Sequence, residues 1–122
     1  MNLVIDIGNT AAKMAVFERG ILVDTFHGDN HSLTDLLENA KKYPLQKGII
    51  SSTITLSDDI QAQLNIMGIN ILHVSSETPI PITNLYKTPH TLGMDRLAAI
   101  IGANELKPKT DLLVIDAGTC IT

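Results

Sequence analysis

Two segments of this chain join an apolar run to an Asp, a Gly and a hydroxyl residue: Leu3-Val4-Ile5-Asp6-Ile7-Gly8-Asn9-Thr10 and Leu113-Val114-Ile115-Asp116-Ala117-Gly118-Thr119. A buried strand that delivers a carboxylate at its carboxyl end, followed by a glycine turn with exposed backbone N–H groups, can hold a metal–phosphate complex from one side. Two such devices can hold it from both. In the first copy Asp6 suits a hydrated Mg²⁺, Asn9 and Thr10 can donate to phosphate oxygens, and Lys13 adds a positive charge, which are the parts phosphoryl transfer needs. A plainer reading is a buried strand ending in an Asp-Gly turn, with Asn9 a turn former and Lys13 solvated on the next strand. Repetition of the pattern favours the first reading.

A third cluster, Gly93-Met94-Asp95-Arg96, sets a carboxylate beside a guanidinium. The cation favours the ionised carboxylate, so Asp95 serves as a base only where the transition state is loose and the proton leaves late. The alternative is an exposed pair in the first turn of a helix, where the dipole favours an Asp. The apolar, Pro-rich stretch before it argues for a site. The histidines offer less: His27 and His31 flank Gly28-Asp29-Asn30 in an expected turn and lack the helical i, i+4 face of a zinc pair. His73 reads as structural, and His90 is near Gly93 only in sequence. Cys120 has no His beside it and suits packing.

The elements needed to position these groups can be read from periodicity. Leu3 to Ile7 is a buried strand, and the runs on either side of Arg19-Gly20 form a hairpin with Gly20 at positive φ, giving an antiparallel meander of three strands. Ser32-Leu33-Thr34-Asp35 resembles a capping box that opens a helix with Leu33, Leu36, Leu37 and Ala40 on one face, stopped by Pro44. Gly48 to Ser51 is a short strand. A second helix runs from about Ser57, with Ile60, Leu64 and Met67 on one face, to Gly68, followed by a strand over Ile69 to Val74. Thr78 to Pro89 is an extended loop, after which a helix runs through Leu106, closed by Pro108, and Leu112 to Ile115 is a last strand. A hairpin followed by alternating helix and strand argues an α/β fold, a mixed sheet with helices packed on both faces.

Bulk properties exclude several classes. The 122 residues are 44% hydrophobic and 18% charged, enough for one modest core. A formal charge of −4, without a basic stripe and with few aromatics, argues against nucleic-acid binding. One cysteine fits a reducing compartment, and the first apolar run is too short to span a bilayer. A cytoplasmic protein without membrane contact is expected. Because Thr122 follows directly on a strand-and-turn signal, the chain is also expected to be a fragment.

Hairpin-then-αβ order with two Asp-Gly-Thr loops resembles the superfamily of acetate kinases, sugar kinases, heat-shock chaperones and actin, the actin-like ATPase (ribonuclease H-like) fold. Within it, Asp6-Ile7-Gly8-Asn9-Thr10 with Lys13, then Gly93-Met94-Asp95-Arg96, then Asp116-Ala117-Gly118-Thr119 is similar to type III pantothenate kinase along the whole chain. The resemblance implies ATP-dependent phosphorylation of pantothenate, the first step towards coenzyme A, in a cytoplasmic homodimer using Mg²⁺ and a monovalent cation, K⁺ or NH₄⁺. It implies that Asp6, Ile7, Gly8, Asn9, Thr10, Ala11, Ala12, Lys13 and Thr119 meet ATP, and that Tyr86, Gly93, Met94, Asp95 and Arg96 line the pantothenate pocket. Asp95 would be the base and Arg96 the partner of the substrate carboxylate. Asp116 would hold the monovalent cation, with Asp6 on the metal side. Residues 1–110 would form the first actin-like domain and 111–122 the first strand and phosphate loop of a second, the remainder being absent. The activity of the fragment alone stays open. Cys120 stands where many members have Ala. The alternative is a nucleotide-binding regulatory or switch protein of the same superfamily, against which the intact Asp95-Arg96 pair speaks, since a switch needs no substrate base.

Overall fold

The structure is a computed structural model, which describes residues 1–117 and 121. The chain divides into two compact units, Met1–Val74 and Ser75–Thr122.

The first unit is built on a five-stranded mixed sheet in the order β3-β2-β1-β4-β5, comprising β1 (Asn2–Ile7), β2 (Ala11–Glu18), β3 (Ile21–Asp29), β4 (Lys47–Ser52) and β5 (Asn70–His73). The first three strands form the expected antiparallel meander, while β4 lies parallel to β1 and β5 parallel to β4. Arg19 and Gly20 both take positive φ, 51° and 82°. Paired left-handed residues match the right-handed twist of the strands they join, so the hairpin is set by this turn. Parallel pairing needs a crossover, and helices supply it: α1 (Leu33–Ala40) lies in the connection from β3 to β4, and α2 (Asp58–Ile66) in that from β4 to β5.

Alternation along β1 decides which face is core. Leu3, Ile5 and Ile7 are buried with Ala12, Met14 and Val16 of β2 and Ile50 of β4, under Leu33, Leu36, Leu37 and Ala40 of α1 and Ile60 and Leu64 of α2. Within this unit both helices therefore cover the same face. The opposite face carries Val4 and Asp6, half-buried, and exposed Lys13 and Ile49. The α1 stripe is the one expected, but its start is not. Ser32 makes no side-chain cap. Its N–H and Oγ instead donate to Asp29 Oδ1 at 3.0 and 2.8 Å, so Asp29 caps a 3₁₀ turn over Asn30–Ser32 that leads into α1. The Ser32 hydroxyl is thereby held on Asp29 and does not reach the N–H groups of the first turn of α1. The second helix starts close to where it is expected, and Ser57 caps it, its Oγ accepting from Ile60 N–H at 3.4 Å; Gly68 follows at φ 65°.

The second unit begins in irregular chain, makes a 3₁₀ turn at Pro89–Thr91 and continues into α3 (Met94–Leu106). Leu92 and Leu97 are its buried residues among those described. The strand expected over Leu112 to Ile115 is absent: residues 111–116 have no regular structure, and Leu113 is 87% exposed. A continuous apolar run becomes a strand only where a ladder partner and cover on both faces exist, and the described residues provide neither. None of the described helices is long and apolar enough to cross a membrane.

Candidate functional site

The first Asp loop sits at the carboxyl end of β1, where it turns into β2. Asp6 is directly opposite Lys13 on β2 and Ser51 on β4, and Lys13 is opposite His27 on β3. A row of Ser51, Asp6, Lys13 and His27 thus crosses four strands on the face away from α1 and α2. Directly opposed side chains have Cβ atoms about 4.5–5.5 Å apart, so the carboxylate and the ammonium that sequence assigned to metal and phosphate are near neighbours. A concavity of ≈ 340 Å³ on this face is lined by Val4, Asp6, Lys13, Ala15, Thr25 and His27 among others. His27 lies within β3, and not in the turn expected for it; only His31 is in the 3₁₀ turn.

Between the strands, Gly8, Asn9 and Thr10 form the turn, closed by the Gly8 N–H donating to Ala11 O at 2.9 Å. Asn9 and Thr10 are exposed, as the donation assigned to them requires. Ile7 and Ala12 are at most 1% exposed and their side chains are core, so any contact they make with a nucleotide is through the main chain. Ala11 is exposed.

Two residues that sequence reasoning passed over support this turn from behind. Asn30 Nδ2 donates to Gly8 O at 3.0 Å and to Asn9 O at 2.9 Å. Thr53 N–H donates to Ile7 O at 2.9 Å, and Thr53 Oγ1 lies 3.3 Å from Ile7 O and 3.2 Å from Asn9 Oδ1. The polar run Asp29-Asn30-His31-Ser32 after β3 was the only signal for Asn30. For Thr53, 44 residues from Asn9, there was none.

In the second unit, Gly93 is the N-cap of α3 and Met94, Asp95 and Arg96 form its first turn, with Asp95 and Arg96 exposed. The Asp95 carboxylate folds back over Gly93, filling the space that a Cβ at 93 would occupy. A glycine at this position lets the carboxylate lie over the helix N-terminus, where the dipole favours an anion. Tyr86 is half-exposed, its N–H bonded to Asn84 Oδ1 at 3.0 Å. His90 lies 3.5 Å from Glu77 and 3.4 Å from Ser76 in an exposed cluster. Asp116 is exposed in irregular chain, whereas Gly118, Thr119 and Cys120 lie outside the described residues. A further concavity of ≈ 440 Å³ in this unit is lined by Ile82, Ile100, Asn104 and Leu112 among others, none of them assigned a role from sequence. Among the described residues there is no cluster of three or more His, Cys, Asp or Glu side chains able to hold a metal ion by themselves. A hydrated ion held by one carboxylate and by substrate phosphates needs no such cluster. The single carboxylate of Asp6 beside an ammonium fits that mode.

Comparison with known proteins bears on the whole of this arrangement. The family model for type III pantothenate kinase matches residues 2–122. Over all of this chain, a type III pantothenate kinase of Phocaeicola vulgatus is 61% identical and one of Bacteroides fragilis 48%, each match covering 50% of the relative. One of Christiangramia forsetii is 40% identical across 51% of its length. The chain spans about half the length of the curated relatives it matches. Its mixed five-stranded sheet with helices is consistent with the actin-like ATPase fold of that family, and the chain belongs to the type III pantothenate kinase family.

Proposed function

We propose that the full-length protein transfers the γ-phosphoryl group of ATP to the hydroxyl of pantothenate, the first committed step towards coenzyme A. The observation that carries this reading is the family match over residues 2–122, which takes in the Asp6 turn and the Gly93–Arg96 cluster together. A switch protein of the same superfamily is not favoured, because relatives up to 61% identical bear the kinase name.

In this reading the Gly8–Thr10 turn and Lys13 receive the ATP phosphates, with Thr119 touching the nucleotide from the second loop. Asp6 holds a hydrated Mg²⁺, which when bound neutralises charge on the phosphate oxygens. Lys13 adds a second positive charge from the opposite strand position. Arg96 binds the pantothenate carboxylate in a fork geometry suited to two parallel hydrogen bonds, and Gly93, Met94 and Tyr86 line the pocket around it. Asp95 accepts the hydroxyl proton as the substrate oxygen bonds to phosphorus and the bond to the bridging oxygen of ADP breaks.

Asp116 is assigned the monovalent cation, K⁺ or NH₄⁺, through its carboxylate. We assign residues 1–110 to a first actin-like domain and 111–122 to the opening of a second, a cytoplasmic homodimer as the working form, and no nucleic acid or membrane as partner. Incubating full-length protein with ATP and pantothenate and following phosphopantothenate by mass spectrometry, in K⁺ and again in Na⁺ buffer, tests the reading. Product in K⁺ with slower turnover in Na⁺ is expected. No product in either overturns the activity, and equal rates overturn the cation assignment.

A further inference from the structure

We infer that Asn30 and Thr53 are positioning residues for phosphate binding: they fix the Gly8–Thr10 turn so that its amide donors face outward. The inference rests on reading that turn as an ATP phosphate site. Its physical basis is the planarity of the peptide. In a trans peptide the C=O and the following N–H point in opposite directions, so pinning a carbonyl inward turns the next N–H outward. Asn30 Nδ2 pins two successive carbonyls, those of Gly8 and Asn9, at 3.0 and 2.9 Å. The N–H groups that follow them belong to Asn9 and Thr10, and an anion approaching from the side away from Asn30 meets both.

Thr53 does the same for a side chain. Ile7 O receives the Thr53 N–H at 2.9 Å, and the Thr53 hydroxyl lies 3.3 Å from Ile7 O and 3.2 Å from Asn9 Oδ1; we assign its proton to Asn9 Oδ1, the shorter of the two. With its oxygen tied back, Asn9 presents its Nδ2 donors to a ligand, the orientation an acceptor-rich phosphate requires. Thr53 follows directly on β4, whose Ser52 is in register with Ile7, so the brace is built into the sheet.

Asn30 is itself held. The ladder pairs Ala11 with Asp29 and Ala12 with Gly28, bringing the end of β3 beside the turn. Asp29 Oδ1 then fixes the 3₁₀ turn through Ser32 N–H and Oγ. One cost is visible: Asn30 Oδ1 is buried without a hydrogen-bond partner among the described residues. A buried unpaired acceptor is retained where its own amide donors are needed. Asp at this position would set a carboxylate against two carbonyl oxygens and push the turn open.

The test uses full-length protein with the variants Asn30→Asp, Asn30→Ala, Thr53→Val and Thr53→Ser, reading KM for ATP, KM for pantothenate, kcat and ATP affinity by calorimetry. Loss of two hydrogen bonds from the brace predicts ATP binding ~10–100-fold weaker in both Asn30 variants, with KM for pantothenate within about twofold of wild type. Thr53→Val should be weakened in the same sense, and Thr53→Ser, which keeps the hydroxyl, should recover most of the affinity. Folded variants with unchanged ATP affinity, whatever their thermal stability, overturn the inference, as does Thr53→Ser behaving like Thr53→Val. If an Asn30 variant does not fold, the Thr53 pair decides alone, because Val and Ser are each close to Thr in size. Wild type that binds no ATP overturns the parent reading instead, so the two failures are distinct.

Discussion

At the scale of single residues, the proposed chemistry divides between a carboxylate at the start of α3 and a cation on β2. Asp95 is exposed at the first turn of its helix and folds over Gly93, within reach of a ligand. Replacing Asp95 with Asn keeps the shape and removes the proposed base. Turnover of the full-length enzyme should then fall by about 10²–10⁴-fold while ATP affinity barely changes. Lys13, opposite Asp6 in the ladder, should show the reverse emphasis: Lys13→Ala weakens ATP binding more than it lowers kcat, since its assigned partner is phosphate. Steady-state kinetics with ATP affinity measured separately by calorimetry distinguish the two patterns. Near-normal turnover in Asp95→Asn would mean that the carboxylate only positions substrate and the proton leaves late, to solvent or phosphate.

At the scale of elements, β3 is tied to the chain beyond α1 by Tyr43, whose Oη donates to Asp24 Oδ2 at 2.6 Å and whose ring tilts against Phe26 with centroids 6.3 Å apart. The Tyr43 hydroxyl, then the Thr25 N–H, hold the Asp24 carboxyl below its ordinary range, and the Ser32 side-chain bond does the same for Asp29. The folded chain therefore binds fewer protons than the unfolded chain near pH 4, so this stabilisation is fully present above about pH 3.9 and is lost as the pH falls through the lower folded values. The Tyr43 hydroxyl is raised by the same bond with Asp24, and its share is present below about pH 10 and lost as the pH rises past it. Urea unfolding against pH should show a shallower loss on the acid side in Tyr43→Phe than in wild type. Parallel curves would mean that the bond does not stabilise the fold. The elements themselves were largely legible: the α1 stripe, the Arg19-Gly20 hairpin and the start of α2 near Ser57 are local patterns of spacing and turn chemistry. What could not be read depends on distant partners. Asp29 caps a 3₁₀ turn ahead of α1 and holds the Ser32 hydroxyl, Leu112 to Ile115 lacks a ladder partner among the described residues, and Asn30 and Thr53 reach the first Asp loop only once the sheet has formed.

At the scale of the whole molecule, the chain corresponds to about half of each relative it matches, and its second unit shows much apolar surface. Leu85, Leu106 and Leu113 are 80% exposed or more, and Ile100 of α3 is 42% exposed. Apolar side chains this exposed are available for a protein partner to cover. The full-length protein is expected to sediment as a dimer at micromolar concentration; a monomer under those conditions would count against the assembly. Family and fold class were legible because three short motifs stand in order along one chain. The relation between the first and second Asp loops was not, since the second loop's Gly118 and Thr119 lie outside the described residues.

The central claim, an ATP-dependent kinase acting on pantothenate, is tested most directly by ADP release from the full-length protein with and without pantothenate, in wild type and in Asp95→Asn. Release that requires pantothenate and drops by about 10²-fold or more in the variant is predicted. Release at the same rate without pantothenate, unaffected by Asp95→Asn, would contradict it and assign the chain to a nucleotide switch.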